Sequence, residues 1–170
     1  MKLARVLAVT LLMALMAGCS PEYNWREVSV GDEVGLVMFP DKPRTQTRTL
    51  DFSGHEVTFN LTTARVGDTI YAVGHAPWPI PISSDAALRE SMGQSVIATL
   101  YRNLGVEVPA ELPAFGQLFE LSGGHGHGML LQAQVWLSTT GLVEGLVMGP
   151  ADDFPRESAE QFLDSLAKGR

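Results

Sequence analysis

Cysteine is almost missing from this chain, in which Cys19 is the only one among 170 residues. An intramolecular disulfide needs two cysteines, so none can form, even in a compartment that permits disulfides. The sequence also lacks a His-Glu-x-x-His motif, a Gly-x-Ser-x-Gly elbow and a phosphate-binding Gly-x-x-x-x-Gly-Lys loop. We therefore expect no enzymatic activity.

A second absence is an apolar run long enough to cross a membrane. The uncharged apolar stretch from Val6 to Met16 has eleven residues, whereas a spanning helix needs about 20. The stretch follows Lys2 and Arg5 and is followed by the small residues Ala17 and Gly18. This arrangement is typical of a secretory signal peptide, and we expect residues 1–18 to be removed.

The residues around Cys19 resemble the lipobox of bacterial lipoproteins, with Met16 where leucine is commoner. The resemblance implies that Cys19 becomes the new N-terminus and carries a thioether-linked diacylglycerol and an N-linked acyl chain such as palmitate. Two or more such chains hold a protein stably on a membrane. Ser20 stands where an Asp often retains lipoproteins in the inner membrane, so the resemblance favours the outer membrane of the bacterial cell envelope, with the domain facing the periplasm.

Basic residues are scarce after the cleavage point. Removing residues 1–18 deletes two basic residues and no acid, which leaves 10 basic against 19 acidic residues and a formal net charge of −9. This balance argues against nucleic acid as a partner and against electrostatic attachment to anionic lipid. The lipid on Cys19 is then the expected membrane attachment.

The mature chain has the size of one domain. Its 152 residues suffice for a single core and show no internal repeat. We expect a short lipidated tether at residues 19–24 and one folded domain at 25–170, in which Trp25 is a core residue near the tether.

Alternating apolar and polar residues, apolar runs and β-prone stretches between turn signals predict seven strands. Thr45–Leu50, which is polar, is expected at a sheet edge. The other predicted strands are Val34–Phe39, His55–Thr63, Thr69–His75, Phe115–Leu121, Met129–Leu137 and Leu142–Met148.

Two amphipathic helices complete the pattern. Ser83, Ser84 and Asp85 offer N-cap oxygens to a helix that ends before Gly105. Apolar residues at 159, 162, 163 and 166 predict a second helix that covers a sheet. His75–Pro81, with its alternate prolines, is expected to be a stiff surface loop. The fold class is therefore α+β, an antiparallel sheet covered by two amphipathic helices.

The order of these segments resembles that of the PsbP-like (DcrB/PsbP) superfamily. The resemblance is carried by three segments, Val-Met-Phe-Pro-Asp-Lys-Pro-Arg, Asp-Thr-Ile-Tyr-Ala-Val-Gly-His and Gly-Leu-Val-Met-Gly-Pro, and by the closing Ala-Glu-Gln-Phe-Leu-Asp-Ser-Leu. It covers most of residues 25–167 and implies a non-enzymatic accessory or binding module that docks on a larger assembly. It supplies no catalytic residues.

Two tryptophans are candidates for binding a protein partner. Trp78 lies between two prolines in the predicted loop, and Trp136 lies on the Gln132–Gln134 face of its strand. Aromatic side chains on rigid surface elements are common interface anchors. The alternative is that a helix or loop covers both side chains, because tryptophan is mostly buried in folded proteins.

His125 and His127 are candidate metal ligands in a glycine-rich turn. Imidazole suits zinc and copper, but a protein site needs at least three ligands. His55, His75 or Glu120 could supply the others, and either histidine could lie at the same end of the sheet as the turn or at the opposite end. A periplasmic metal-binding lipoprotein is thus the alternative function, and a solvated hairpin tip is the alternative for the histidines.

Overall fold

The computed structural model describes residues 22–31, 34–52, 54–124 and 128–168. These ranges form an α+β fold with eight strands, three α-helices and the short 3₁₀ helix Ala151–Asp153. The strands are β1 (Arg26–Ser29), β2 (Leu36–Phe39), β3 (Arg44–Phe52), β4 (His55–Val66), β5 (Thr69–Pro77), β6 (Phe119–Gly123), β7 (Met129–Leu137) and β8 (Gly141–Pro150). The helices are α1 (Ile80–Ser83), α2 (Ala86–Asn103) and α3 (Arg156–Lys168).

Six strands form one antiparallel sheet in the order β3-β4-β5-β8-β7-β6, and β1 and β2 form a separate two-stranded sheet. We call the end of the main sheet that holds the Val66–Thr69 turn and Pro150 the proximal end. The opposite end, which holds the Phe52–His55 turn and Pro77, is the distal end.

One face of the main sheet is covered by α1 and α2. Asp85 caps α2, because its carboxylate accepts a hydrogen bond from the backbone N–H of Leu88 at 3.0 Å. Gly105 follows the helix with φ of +69°, a conformation that favours glycine at a helix end. The core on this face includes Ile82, Ile97, Leu131, Val135 and Leu142.

The other face is covered by α3 and by β1 and β2. Phe162 is fully buried and makes edge-on ring contacts with Phe39 and Tyr71, at centroid distances of 5.2 and 5.5 Å. Ser165 of α3 accepts a hydrogen bond from the backbone N–H of Met38 at 3.0 Å, which joins the small sheet to the helix. None of the helices in the described ranges is both long and apolar enough to cross a membrane.

Several sequence predictions are confirmed by this arrangement. β3 lies at an edge of the main sheet, both amphipathic helices cover sheet faces, and Ala159, Phe162, Leu163 and Leu166 are all buried. The prediction of a surface loop at 75–81 is wrong in part. His75–Pro77 belongs to the central strand β5, and Ile80–Ser83 is helical.

The proline is tolerated because β4 pairs with β5 only as far as His75, whereas β8 continues to Pro77. The missing N–H of Pro77 therefore removes no bond to β4. Pairing with β8 gives this segment its strand conformation, and the alternate prolines in the sequence do not reveal that pairing.

Candidate functional site

The chain enters the fold at the proximal end. The backbone N–H of Asn24 donates to the carbonyl of Pro40 at 2.7 Å, and the rings of Tyr23 and Trp25 stack at 5.9 Å. Trp25 is half-buried and packs against the core under α3, near the predicted tether. Cys19 itself lies outside the described residues.

Trp78 does not lie on an exposed loop. Its side chain is 8% exposed and belongs to the core under α2. The indole N–H donates to the carbonyl of Ser138 at 3.0 Å, so the polar part of the ring is also engaged within the domain. Trp78 is therefore placed as a core residue that ties the end of β5 to the β7–β8 turn.

Trp136 lies on the other face of the sheet, half-buried against the core under α3. Its ring approaches Gly145, where an added Cβ would lie 3.6 Å from it. The two tryptophans are thus on opposite faces of the sheet and do not form one joint surface. The alternative stated from the sequence, that a helix or loop covers both side chains, describes the buried Trp78 more fully than the half-buried Trp136.

His125 and His127 lie outside the described residues, and only the strands on either side of them, β6 and β7, can be placed. Gly123 pairs with Met129 and Met129 pairs with Pro150, so β6 ends and β7 begins at the proximal end. His55 begins β4 at the distal end, and His75 pairs with Val143 towards that same end. Both histidines therefore lie towards the end of the sheet opposite to Gly123 and Met129.

Glu120 is the remaining helper residue, and its carboxylate is already engaged. Arg156 Nη1 donates to Glu120 Oε2 at 2.7 Å, and Gln132 Nε2 donates to the same oxygen at 3.1 Å. The hydrogen bond from Arg156 lowers the pKa of Glu120, with a smaller contribution from Gln132. Among the described residues, no group of three or more His, Cys, Asp or Glu side chains could hold a metal ion. The zinc or copper alternative stays a prediction that rests on the turn alone.

Gln132 also shows why the polar face of β7 was misread. Alternation with Leu131 and Ala133 predicts an exposed polar face, yet Gln132 is 6% exposed because α3 covers that side. Its Oε1 atom is buried and has no hydrogen-bond partner among the described residues. The amide therefore contributes one good hydrogen bond, to Glu120, and one unsatisfied acceptor.

Glu144 is the residue that sequence reasoning missed altogether. It lies on β8 opposite Gly74 and Val135, on the face covered by α2, and is 6% exposed. Burial raises the pKa of its carboxyl group to about 7. No other described residue forms a hydrogen bond or ion pair with it. The only signal in the sequence is one acid within the apolar run Leu142–Met148.

Perturbed carboxyl groups often mark functional sites. Glu144 is enclosed by the apolar core, and no second titratable group among the described residues contributes to the shift of its pKa. Its protonation state therefore affects the stability of the fold. No protein family, curated protein or solved structure significantly matches the chain.

Proposed function

We propose that this chain is a lipid-anchored accessory or binding protein of the bacterial cell envelope, with a PsbP-like fold, which docks on a larger envelope assembly without catalysing a reaction. The lipid on Cys19 attaches it to a membrane, the outer membrane being favoured, and the domain faces the periplasm. Its protein partner is a component of that envelope assembly.

The observation that carries the proposal is the short distance in sequence between Cys19 and described residues that contact the core of the domain. Asn24 is hydrogen-bonded to Pro40 and Trp25 packs on the core, five and six residues after Cys19. A fully extended chain spans at most about 3.6 Å per residue. A lipid on Cys19 would therefore hold the domain within about 20 Å of the membrane surface.

The edge strand β3 supports the docking role. It runs for nine residues along an edge that is unpaired in the described structure, and residues 44–51 are exposed. Leu50, in its distal half, is 47% exposed. An open strand edge can pair with a strand of another protein, and this edge is more accessible to a partner than either Trp78 or Trp136.

Two experiments test the proposal. Cys19→Ser should abolish lipid-dependent fractionation with membranes and leave at most unprocessed precursor there. A correctly processed Cys19→Ser product that remains on membranes would contradict the lipid anchor. Mild crosslinking in native membranes followed by pull-down should then retain one stoichiometric envelope protein, and recovery of the domain without such a protein would contradict the docking role.

A further inference from the structure

Three cationic side chains lie together at the proximal end of the main sheet. Lys42, Arg44 and Arg65 line an open cavity of about 400 Å³. Arg44 pairs with Thr63, and Arg65 lies two residues further along β4 on the same sheet face. The two arginines are therefore diagonal neighbours, a spacing at which long side chains interact.

The cations in this cluster form no ion pair within the part of the chain that the structure describes. All three side chains are exposed, and none forms a salt bridge with another described residue, although Asp41 lines the same cavity. Like charges on diagonal neighbours repel one another, and an anion between them would relieve the repulsion. The cluster is thus a local excess of positive charge on an otherwise acidic domain.

The cluster flanks the point at which the chain enters the fold. Asn24 is hydrogen-bonded to Pro40, two residues before Lys42. Glu22 and Tyr23 line a second open cavity together with the Val66–Thr69 turn, which directly follows Arg65. Residues 22–24 therefore lie close to the cluster, with Asn24 bonded to Pro40 and with Glu22 and Tyr23 beside the Val66–Thr69 turn.

The lipid anchor brings this end of the domain to the membrane. Glu22 comes three positions after Cys19 in the chain, a span of at most about 11 Å. Given the lipid anchor of the proposed function, we propose that Lys42, Arg44 and Arg65 bind the phosphates of anionic lipid headgroups. The net charge of −9 argues against electrostatic attachment of the domain as a whole, so the cluster is not an anchor in its own right and only sets the orientation of the lipid-held domain on the membrane.

The acidic residues at the same end determine the direction of tilt. Glu22, Asp68 and Asp153 line the second cavity, which shares no lining residue with the cavity of the cluster. Anionic headgroups attract the basic side and repel the acidic side, so the domain tilts with Arg44 towards the membrane. Because the lipid already holds the protein at the surface, the cluster needs only to favour one orientation.

A single introduced cysteine can report this orientation, since the thiol of Cys19 is consumed by the lipid. Gln46→Cys lies on β3 between Arg44 and Arg48 and is exposed. The lipidated full protein, labelled there with a fluorophore, is reconstituted into phosphatidylcholine vesicles with or without phosphatidylglycerol. Energy transfer to a headgroup-labelled lipid should be higher in the anionic vesicles, and high salt should remove the increase. A label at Thr139→Cys, in the exposed distal turn, should show no increase.

The variants assign the effect to the cluster. Arg44→Gln with Arg65→Gln should abolish the increase, whereas Arg48→Gln, on the same strand and face but outside the cavity, should retain it. Equal transfer in both vesicle types, or an increase that survives the double substitution, overturns the inference, even if the cluster binds inorganic phosphate in detergent. The intact mass of the protein is measured first, because an unacylated Cys19 would overturn the proposed function itself.

Discussion

Gly74 and Glu144 lie directly opposite each other on the central strands β5 and β8, and the absence of a side chain at Gly74 leaves room for the Glu144 carboxyl group. A Cβ at Gly74 would lie 3.1 Å from Glu144 Oε2 and 2.6 Å from Cζ of Phe59. The glycine, the aromatic ring and the acid therefore form one packing unit in the middle of the sheet. Because burial raises the pKa of Glu144, we expect the free energy of unfolding to fall as pH rises towards neutrality.

Glu144→Gln should stabilise the protein at alkaline pH. Below the ordinary pKa of 4.5 the carboxyl group is protonated in both the folded and the unfolded chain. Between pH 4.5 and about 7 only the folded chain keeps the proton, so the free energy of unfolding falls as pH rises. Above pH 7 Glu144 is ionised in both states, and the buried carboxylate lowers the free energy of unfolding by about 3 kcal/mol relative to a neutral side chain. Urea unfolding at pH 8 should show a gain approaching this value for Glu144→Gln.

The same comparison at pH 4 should show almost no difference between Glu144→Gln and the wild type. Glu160→Gln, an exposed acid on α3, provides the control and should leave the pH dependence unchanged. A pH profile for Glu144→Gln that runs parallel to the wild type would show that Glu144 titrates normally in the folded state.

Gly74→Ala should destabilise the domain, because the new methyl group would overlap the ring of Phe59. Overpacking of a core usually costs about 1–3 kcal/mol. Gly54→Ala meets no atom within 4 Å but has a φ of +80°, so it tests backbone strain without overpacking. If Gly74→Ala combined with Phe59→Leu is no more stable than Gly74→Ala alone, the overlap is not the cause.

Phe162→Ala should cost about 3–5 kcal/mol of unfolding free energy, because the ring is fully buried between Phe39 and Tyr71. The adjacent Gln161 is exposed on the same helix, and Gln161→Ala should change the stability little. Thermal or urea unfolding of both variants checks this. An unchanged midpoint for Phe162→Ala would mean that α3 does not pack on the sheet.

Calorimetric titration of the mature protein with zinc and copper should show weak or no specific binding. His55 and His75 lie towards the distal end of the sheet, and Glu120 is bonded to Arg156. His125 and His127 would then lack the further ligands that a zinc site requires. A stoichiometric site that disappears in the His125→Ala/His127→Ala double variant would contradict this expectation and favour the metal-binding alternative.

The elements that the sequence predicted well are those fixed by local chemistry. The cap at Asp85, the helix end at Gly105 and the apolar stripe around Phe162 depend on a few neighbouring residues, and all three are present. The coarse fold class followed from these elements together with the strand pattern. The PsbP-like fold is a finer assignment than the α+β class and remains part of the proposed function.

The features that the sequence did not predict depend on packing between distant segments. Pro77 is a strand residue because β8 extends past the end of β4, and Trp78 is buried because Ser138 lies beside it. Gln132 is covered by α3, although alternation along β7 places it on a polar face. Glu144 is enclosed by elements from across the chain. None of these neighbours can be read from the local pattern.

The intact mass of the protein purified from bacterial membranes tests the central claim most directly. The account predicts a chain that begins at Cys19 and carries a diacylglyceryl group on sulfur and an acyl chain on the new amino terminus. Peptide mapping should place both modifications on Cys19. A membrane-derived protein with an unmodified Cys19, or one that still begins at Met1, would contradict the claim that this domain is held on the envelope by lipid.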